Sequence, residues 1–98
     1  MFEGFDFEFG RITYNTYKLS PTDQTDLEWI SEDMFQVEYP NGYVLDVGWY
    51  GGFDEGIFII FIIKDCQWSE PLLRREYKDV NKLYEGMKEC ISIVKGLI

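Results

Sequence analysis

Ile57-Phe58-Ile59-Ile60-Phe61-Ile62-Ile63 is apolar at all seven positions. A strand sends successive side chains to opposite faces, so a strand of this composition has no face suited to water. The run predicts the central strand of a sheet covered on both sides; left exposed, it would aggregate. Just upstream, residues 43–50 (Tyr-Val-Leu-Asp-Val-Gly-Trp-Tyr) read as its neighbour. Tyr43, Leu45, Val47 and Trp49 share one face of that strand, and Val44, Asp46, Gly48 and Tyr50 share the other. Asn41-Gly42 precedes it and follows a third alternating run, Phe35-Gln36-Val37-Glu38-Tyr39. Asn-Gly in that setting is a strong hairpin signal, because both residues accept the positive φ of a type I′ turn.

Further upstream, Leu27-Glu28-Trp29-Ile30-Ser31 and the 35–39 run make two short strands around Glu32-Asp33. Residues 20–26 are polar and rich in turn formers, and Ser20 with Pro21 offers the start of a helical turn. Phe5-Asp6-Phe7-Glu8-Phe9 alternates apolar with acidic, and Ile12-Thr13-Tyr14-Asn15-Thr16-Tyr17 continues with β-branched and aromatic residues. The period of two predicts strand character across residues 5–18, bent or bulged at Gly10. Downstream of the apolar heptad, Lys64–Pro71 leaves the sheet and ends in a turn. The chain closes on a helix. Val80, Leu83, Tyr84, Met87, Cys90, Ile91, Val94, Leu97 and Ile98 recur at spacings of three and four, which makes one apolar stripe. Asp79 at its start and Lys95 near its end suit the helix dipole.

These pieces predict an α+β fold: one antiparallel sheet of four to six strands packed on a single C-terminal amphipathic helix. At 98 residues the chain is one domain spanning 1–98, with no internal repeat or linker. Phe58, Ile60, Ile62 and Val47 should be buried with Val80, Met87 and Ile91. One helix covers one face, however, and 57–63 calls for two covers. The aromatic N-terminus folded back is the favoured second cover, since Phe2, Phe5, Phe7 and Phe9 offer ~1.5–3 kcal/mol each on burial. A second subunit, in a homodimer, is the other candidate.

Composition narrows the function. Apolar residues are 46% and charged residues 28%, while aromatics reach 18%. There are 18 acids, 9 bases and no histidine, for a formal charge of −9. Such a chain is a poor direct binder of nucleic acid, whose backbone is held by Lys and Arg. The absence of histidine removes the commonest general base and metal ligand. No run reaches the length of a membrane span, and the first residues lack the basic start of a secretion signal, so a cytoplasmic location without membrane attachment is expected. Cys66 and Cys90 lie too few to close a zinc site, and the compartment argues for reduced thiols without a disulfide. Charge is also uneven. Residues 1–49 hold ten acids against Arg11 and Lys18, whereas residues 50–98 hold eight acids against seven bases.

No catalytic constellation is present. Ser31 and Ser69 have no base to activate them. The carboxylate pairs Glu32-Asp33 and Asp54-Glu55 would diverge on an extended backbone, and neither loop has calcium-loop spacing. The glycines at 48, 51, 52 and 56 do not form a phosphate cradle ahead of a helix. The reading is therefore no enzyme, no metal and no cofactor. What stands out is a surface set: Asp46, Tyr50, Asp54 and Glu55, with Trp68 beyond the long strand and Glu32 and Asp33 as further acids. Aromatic anchors beside carboxylates make a protein-binding surface that steers a basic partner. Trp49 neighbours this set but, in phase with Leu45 and Val47, is placed in the core ahead of the surface; Trp68 is open between core and surface. Asp46 is either exposed or hydrogen-bonded, because an unpaired buried carboxylate would cost several kcal/mol.

Residues 39–50 (Tyr-Pro-Asn-Gly-Tyr-Val-Leu-Asp-Val-Gly-Trp-Tyr), then Phe58-Ile-Ile-Phe-Ile-Ile-Lys-Asp65 and Trp68-Ser-Glu-Pro71, resemble a group of small bacterial proteins. The resemblance is to the immunity proteins of polymorphic and contact-dependent toxin systems, and it covers residues 39–98. It implies a non-catalytic role, binding and neutralising a cognate toxin domain, and it transfers no site residues. The acidity fits a basic toxin nuclease. Two other classes are open: an acidic phage-type inhibitor mimicking nucleic acid, marked by carboxylates regularly spaced along one face, and a small ligand-binding module, marked by a deep pocket lined with the named acids.

Overall fold

The computed structural model describes residues 1–15, 21–22, 34–51 and 56–98. Five strands and one helix follow in chain order: β1 (Arg11–Asn15), β2 (Phe35–Glu38), β3 (Tyr43–Tyr50), β4 (Ile57–Lys64), β5 (Leu73–Tyr77) and α1 (Val80–Leu97). The strands form one sheet in the order β1-β2-β3-β4-β5, each neighbour antiparallel. The helix packs over β3, β4 and β5. The fold is thus α+β, with one antiparallel sheet on a single C-terminal helix.

The apolar heptad is central, as its composition requires. β4 lies between β3 and β5. Phe58, Ile60 and Ile62 face the helix side and join Phe35, Val37, Leu45 and Val47 against Val80, Leu83, Met87, Cys90, Ile91 and Val94. On the opposite face Ile59 and Ile63 are buried as well. The β2–β3 hairpin turns at Pro40–Gly42, where Asn41 (φ 66°) and Gly42 (φ 81°) both take the left-handed conformation the Asn-Gly pair tolerates. Asp79 caps α1, its Oδ1 accepting from the Lys82 N–H at 2.7 Å, which satisfies one of the first-turn donors.

Two expectations for the N-terminus are corrected. Among the described residues strand pairing covers Arg11–Asn15, with a bulge between Ile12 and Tyr14, and residues 1–10 are irregular, while 16–18 lie outside the described residues. Phe2 and Glu8 adopt positive φ, so the alternation of residues 5–9 does not build a strand. Its aromatics are instead used as a plug. Phe2 and Phe7 are buried against Phe35, at centroid separations of 4.9 and 5.4 Å, and Phe2 also meets Tyr84 of the helix at 4.5 Å. The Phe2 N–H donates to Tyr84 Oη at 2.8 Å. The segment therefore extends the helix-side layer over β2, which α1 leaves uncovered, and does not cover the second face. Aromatic packing outweighed the local strand preference.

β5 was not anticipated. Leu73, Arg75 and Tyr77 point to the helix side between the exposed Arg74 and Glu76, a charged pattern suited to an edge strand. Tyr77 lies directly on the helix at Gly86, where a Cβ would sit 2.2 Å from its ring and hydroxyl. The expected strand at residues 27–31 lies outside the described residues, as does most of the 20–26 loop.

Candidate partner-binding surface

Of the residues singled out in the sequence, the described ones, Asp46, Tyr50 and Trp68, fall in two places. Asp46 and Tyr50 project from β3 on the face away from α1. Cross-strand register sets Asp46 beside Gln36 of β2 and Phe61 of β4. Only 7% of Asp46 is exposed, and its Oδ1 accepts a hydrogen bond from Gln36 Nε2 at 3.3 Å. Its carboxylate is thus held within the sheet face, which is the hydrogen-bonded alternative. Tyr50 is half-buried, edge-on to Phe61 at 6.1 Å. Trp49 points to the other face and packs edge-on against Phe58 at 4.8 Å, on the rim of the core.

Trp68 is elsewhere. Tyr50 pairs with Ile57 at one end of the β3–β4 ladder, whereas Tyr43 pairs with Lys64 at the other. Trp68 follows the Lys64 end, so roughly 23 Å of strand separates it from Tyr50. Glu32, Asp33, Asp54 and Glu55 lie outside the described residues.

The Lys64 end is built from two interlocked turns. Asp65 (φ 52°) and Cys66 (φ 60°) are both left-handed, and the Gln67 N–H donates to Lys64 O at 3.1 Å. The Asp65 N–H donates to Gly42 O at 2.9 Å, tying this turn to the Asn41-Gly42 hairpin. Gly42 has φ +81°, which favours glycine, and a Cβ there would also push the Asp65 carboxylate aside, its Oδ1 lying 2.2 Å away. Lys64 folds inward: its Nζ donates to Asn41 O at 2.7 Å and sits 4.1 Å above the Tyr43 ring. Beyond the turn, Trp68 and Leu72 are 48% and 55% exposed. Leu72 went unmarked in the sequence because an isolated leucine beside Pro71 has no periodic context. Both cysteines are free thiols; Cys66 is exposed and Cys90 is buried. Burial pushes the Cys90 thiol upward in pKa, which disfavours a thiolate nucleophile.

A second apolar set lies on β1 and just before it, where Phe9, Ile12 and Tyr14 are exposed. The sequence reading missed it because strand alternation placed Phe9 on a buried face.

The bases are largely engaged inside the molecule. Arg11 pairs with Glu38, Arg74 with Glu76, Arg75 with Glu89 and Lys95 with Glu8. Lys88 approaches the Phe5 ring, and Lys64 is held as described. Such surface pairs add little stability, and because each cancels one acid with one base they leave the net charge of −9 unchanged. Glu38 and Glu76 each hold an arginine and Asp46 is buried, so the described sheet carboxylates form no regular ladder. A shallow cleft between the N-terminal segment and α1 is lined by Gly4, Phe5, Asp6, Lys88 and Ile91, with one acid among them. Among the described residues no three His, Cys, Asp or Glu side chains converge to hold a metal ion, and no helix is long and apolar enough to cross a membrane. The sequence matches no protein-family model, and no curated protein or solved structure is significantly similar to it.

Proposed function

We propose that this chain is a non-catalytic immunity protein that binds a basic toxin domain, a nuclease in the leading case, and neutralises it in the cytoplasm. The reading is carried by charge: a net −9 on a fold in which Arg11, Arg74, Arg75 and Lys95 are each spent on a glutamate. An uncompensated negative potential attracts a basic partner and accelerates encounter. The exposed Trp68 supplies the kind of aromatic anchor that gives such an encounter lifetime. A nucleic-acid mimic would draw on a carboxylate ladder instead.

The test is co-expression with the toxin domain encoded at the same locus. The expected outcome is that the toxin alone arrests growth, that this chain restores it, and that the two purify as a stoichiometric complex. Failure to protect and failure to bind would together overturn the proposal.

A further inference from the structure

The geometry points to the two-turn end of the sheet, residues 65–72 braced on the Asn41-Gly42 hairpin, as the docking surface for a basic protein with an apolar pocket that accepts the Trp68 indole. This assignment rests on the binding role just proposed and names its location. Three observations carry it. Trp68 and Leu72 are each about half exposed within five residues, whereas a burial-driven fold gains nothing by presenting an indole to water. The backbone that presents them is fixed. Asp65, Gln67, Trp68, Glu70 and Leu72 all donate their N–H groups, to Gly42, Lys64, Cys66, Gln67 and Ile62 respectively, at 2.9–3.1 Å. An anchor already ordered before contact loses little entropy on binding.

Charge selects the partner. Residues 65–73 contain Asp65 and Glu70 and no base, and both acids are exposed; of the two flanking cations, Lys64 is turned onto Tyr43 and Asn41 and Arg74 is paired with Glu76. The tip is therefore acidic around an aromatic centre, complementary to a basic rim around an apolar pocket. Asp65 and Cys66 also hold left-handed φ without glycine. Local backbone strain of this kind is kept where the surrounding structure imposes it, and it turns the chain out of β4 before Leu72 returns to pair with Ile62.

The experiment titrates full-length protein with the toxin domain of the same locus, inactivated by substitution so that it can be purified. Trp68→Ala is expected to weaken binding ~30-fold or more, chiefly through faster dissociation. Leu72→Ser should weaken it less, and Ile12→Ser on β1 should leave it unchanged. Thermal unfolding of each variant reports whether the fold is retained. As a readout independent of truncation, the Trp68 contribution to fluorescence, taken as the difference between wild type and Trp68→Phe, should shift to the blue on adding toxin. Tight binding that is indifferent to Trp68→Ala, with no such shift, overturns the tip assignment and leaves the immunity role standing. Absence of binding by the wild type overturns both. A wild-type dimer that Trp68→Ala dissociates would assign the tip to a second copy of this chain and overturn the basic partner.

Discussion

Tyr39 closes the inner edge of the β2 hairpin, with its N–H donating to Tyr43 O at 2.8 Å and its side chain 6% exposed. Its hydroxyl finds no hydrogen-bond partner among the described residues. Burial, reinforced by Glu8 and Asp6, pushes the phenol up to about 12. Tyr77 and Tyr84 are raised in the same direction, chiefly by burial. The unfolded chain ionises these groups near pH 10 while the fold resists, so their contribution is intact below pH 10 and stability falls as the pH climbs towards 12. Tyr39→Phe removes a buried, unsatisfied hydroxyl. It should leave stability at pH 7 equal to wild type or raise it by up to ~1 kcal/mol, and it should flatten the alkaline loss. Urea unfolding at pH 8 and pH 11 checks both; a loss above ~2 kcal/mol at pH 8 would show that the hydroxyl is bonded in solution. Residue roles were partly legible in the sequence. Period two put Trp49 with Leu45 and Val47, and the cost of a bare buried carboxylate singled out Asp46. Neither rule could place Trp68 relative to Tyr50, because that depends on which end of a ladder each occupies.

Among the elements, the contact between β5 and α1 depends on a residue that is not there: the side chain of Gly86. Helix propensity alone favours alanine over glycine by ~1 kcal/mol. Here the added methyl would meet the Tyr77 ring at 2.2 Å, and overpacking costs ~1–3 kcal/mol. Gly86→Ala is therefore expected to lower stability by up to about 2 kcal/mol net, read as a lower melting temperature; a rise would mean that Tyr77 swings aside freely. The helix, the β2–β3 hairpin and β4 were all readable, since each has a strong local pattern: a 3.6-residue stripe, Asn-Gly, and seven apolar residues. The N-terminal segment was not. Its Phe-acid alternation imitates a strand, and only the gap that α1 leaves over Phe35 decides that Phe2 and Phe7 fill it as a plug. β5 escaped for the opposite reason, because Arg74-Arg75-Glu76 masks the apolar face of Leu73 and Tyr77.

Over the whole molecule, sheet and helix provide the frame, and the proposed binding role rests on charge. The asymmetry between the two halves was legible from counting alone. The internal neutralisation of Arg11, Arg74, Arg75 and Lys95 was not, because it depends on which side chains the sheet and helix bring together. The central claim is that negative potential recruits a basic toxin, and exposed charges act through solvent that screens them beyond about 8 Å at physiological ionic strength. The direct measurement is the association rate with the inactivated toxin domain of the same locus, taken by stopped flow at low and at high salt. The account predicts that the association rate falls at least tenfold as salt rises from about 0.01 to 0.5 M while dissociation changes little. Association equally fast at both would contradict it, and would reduce the charge to a means of keeping an aromatic-rich chain in solution.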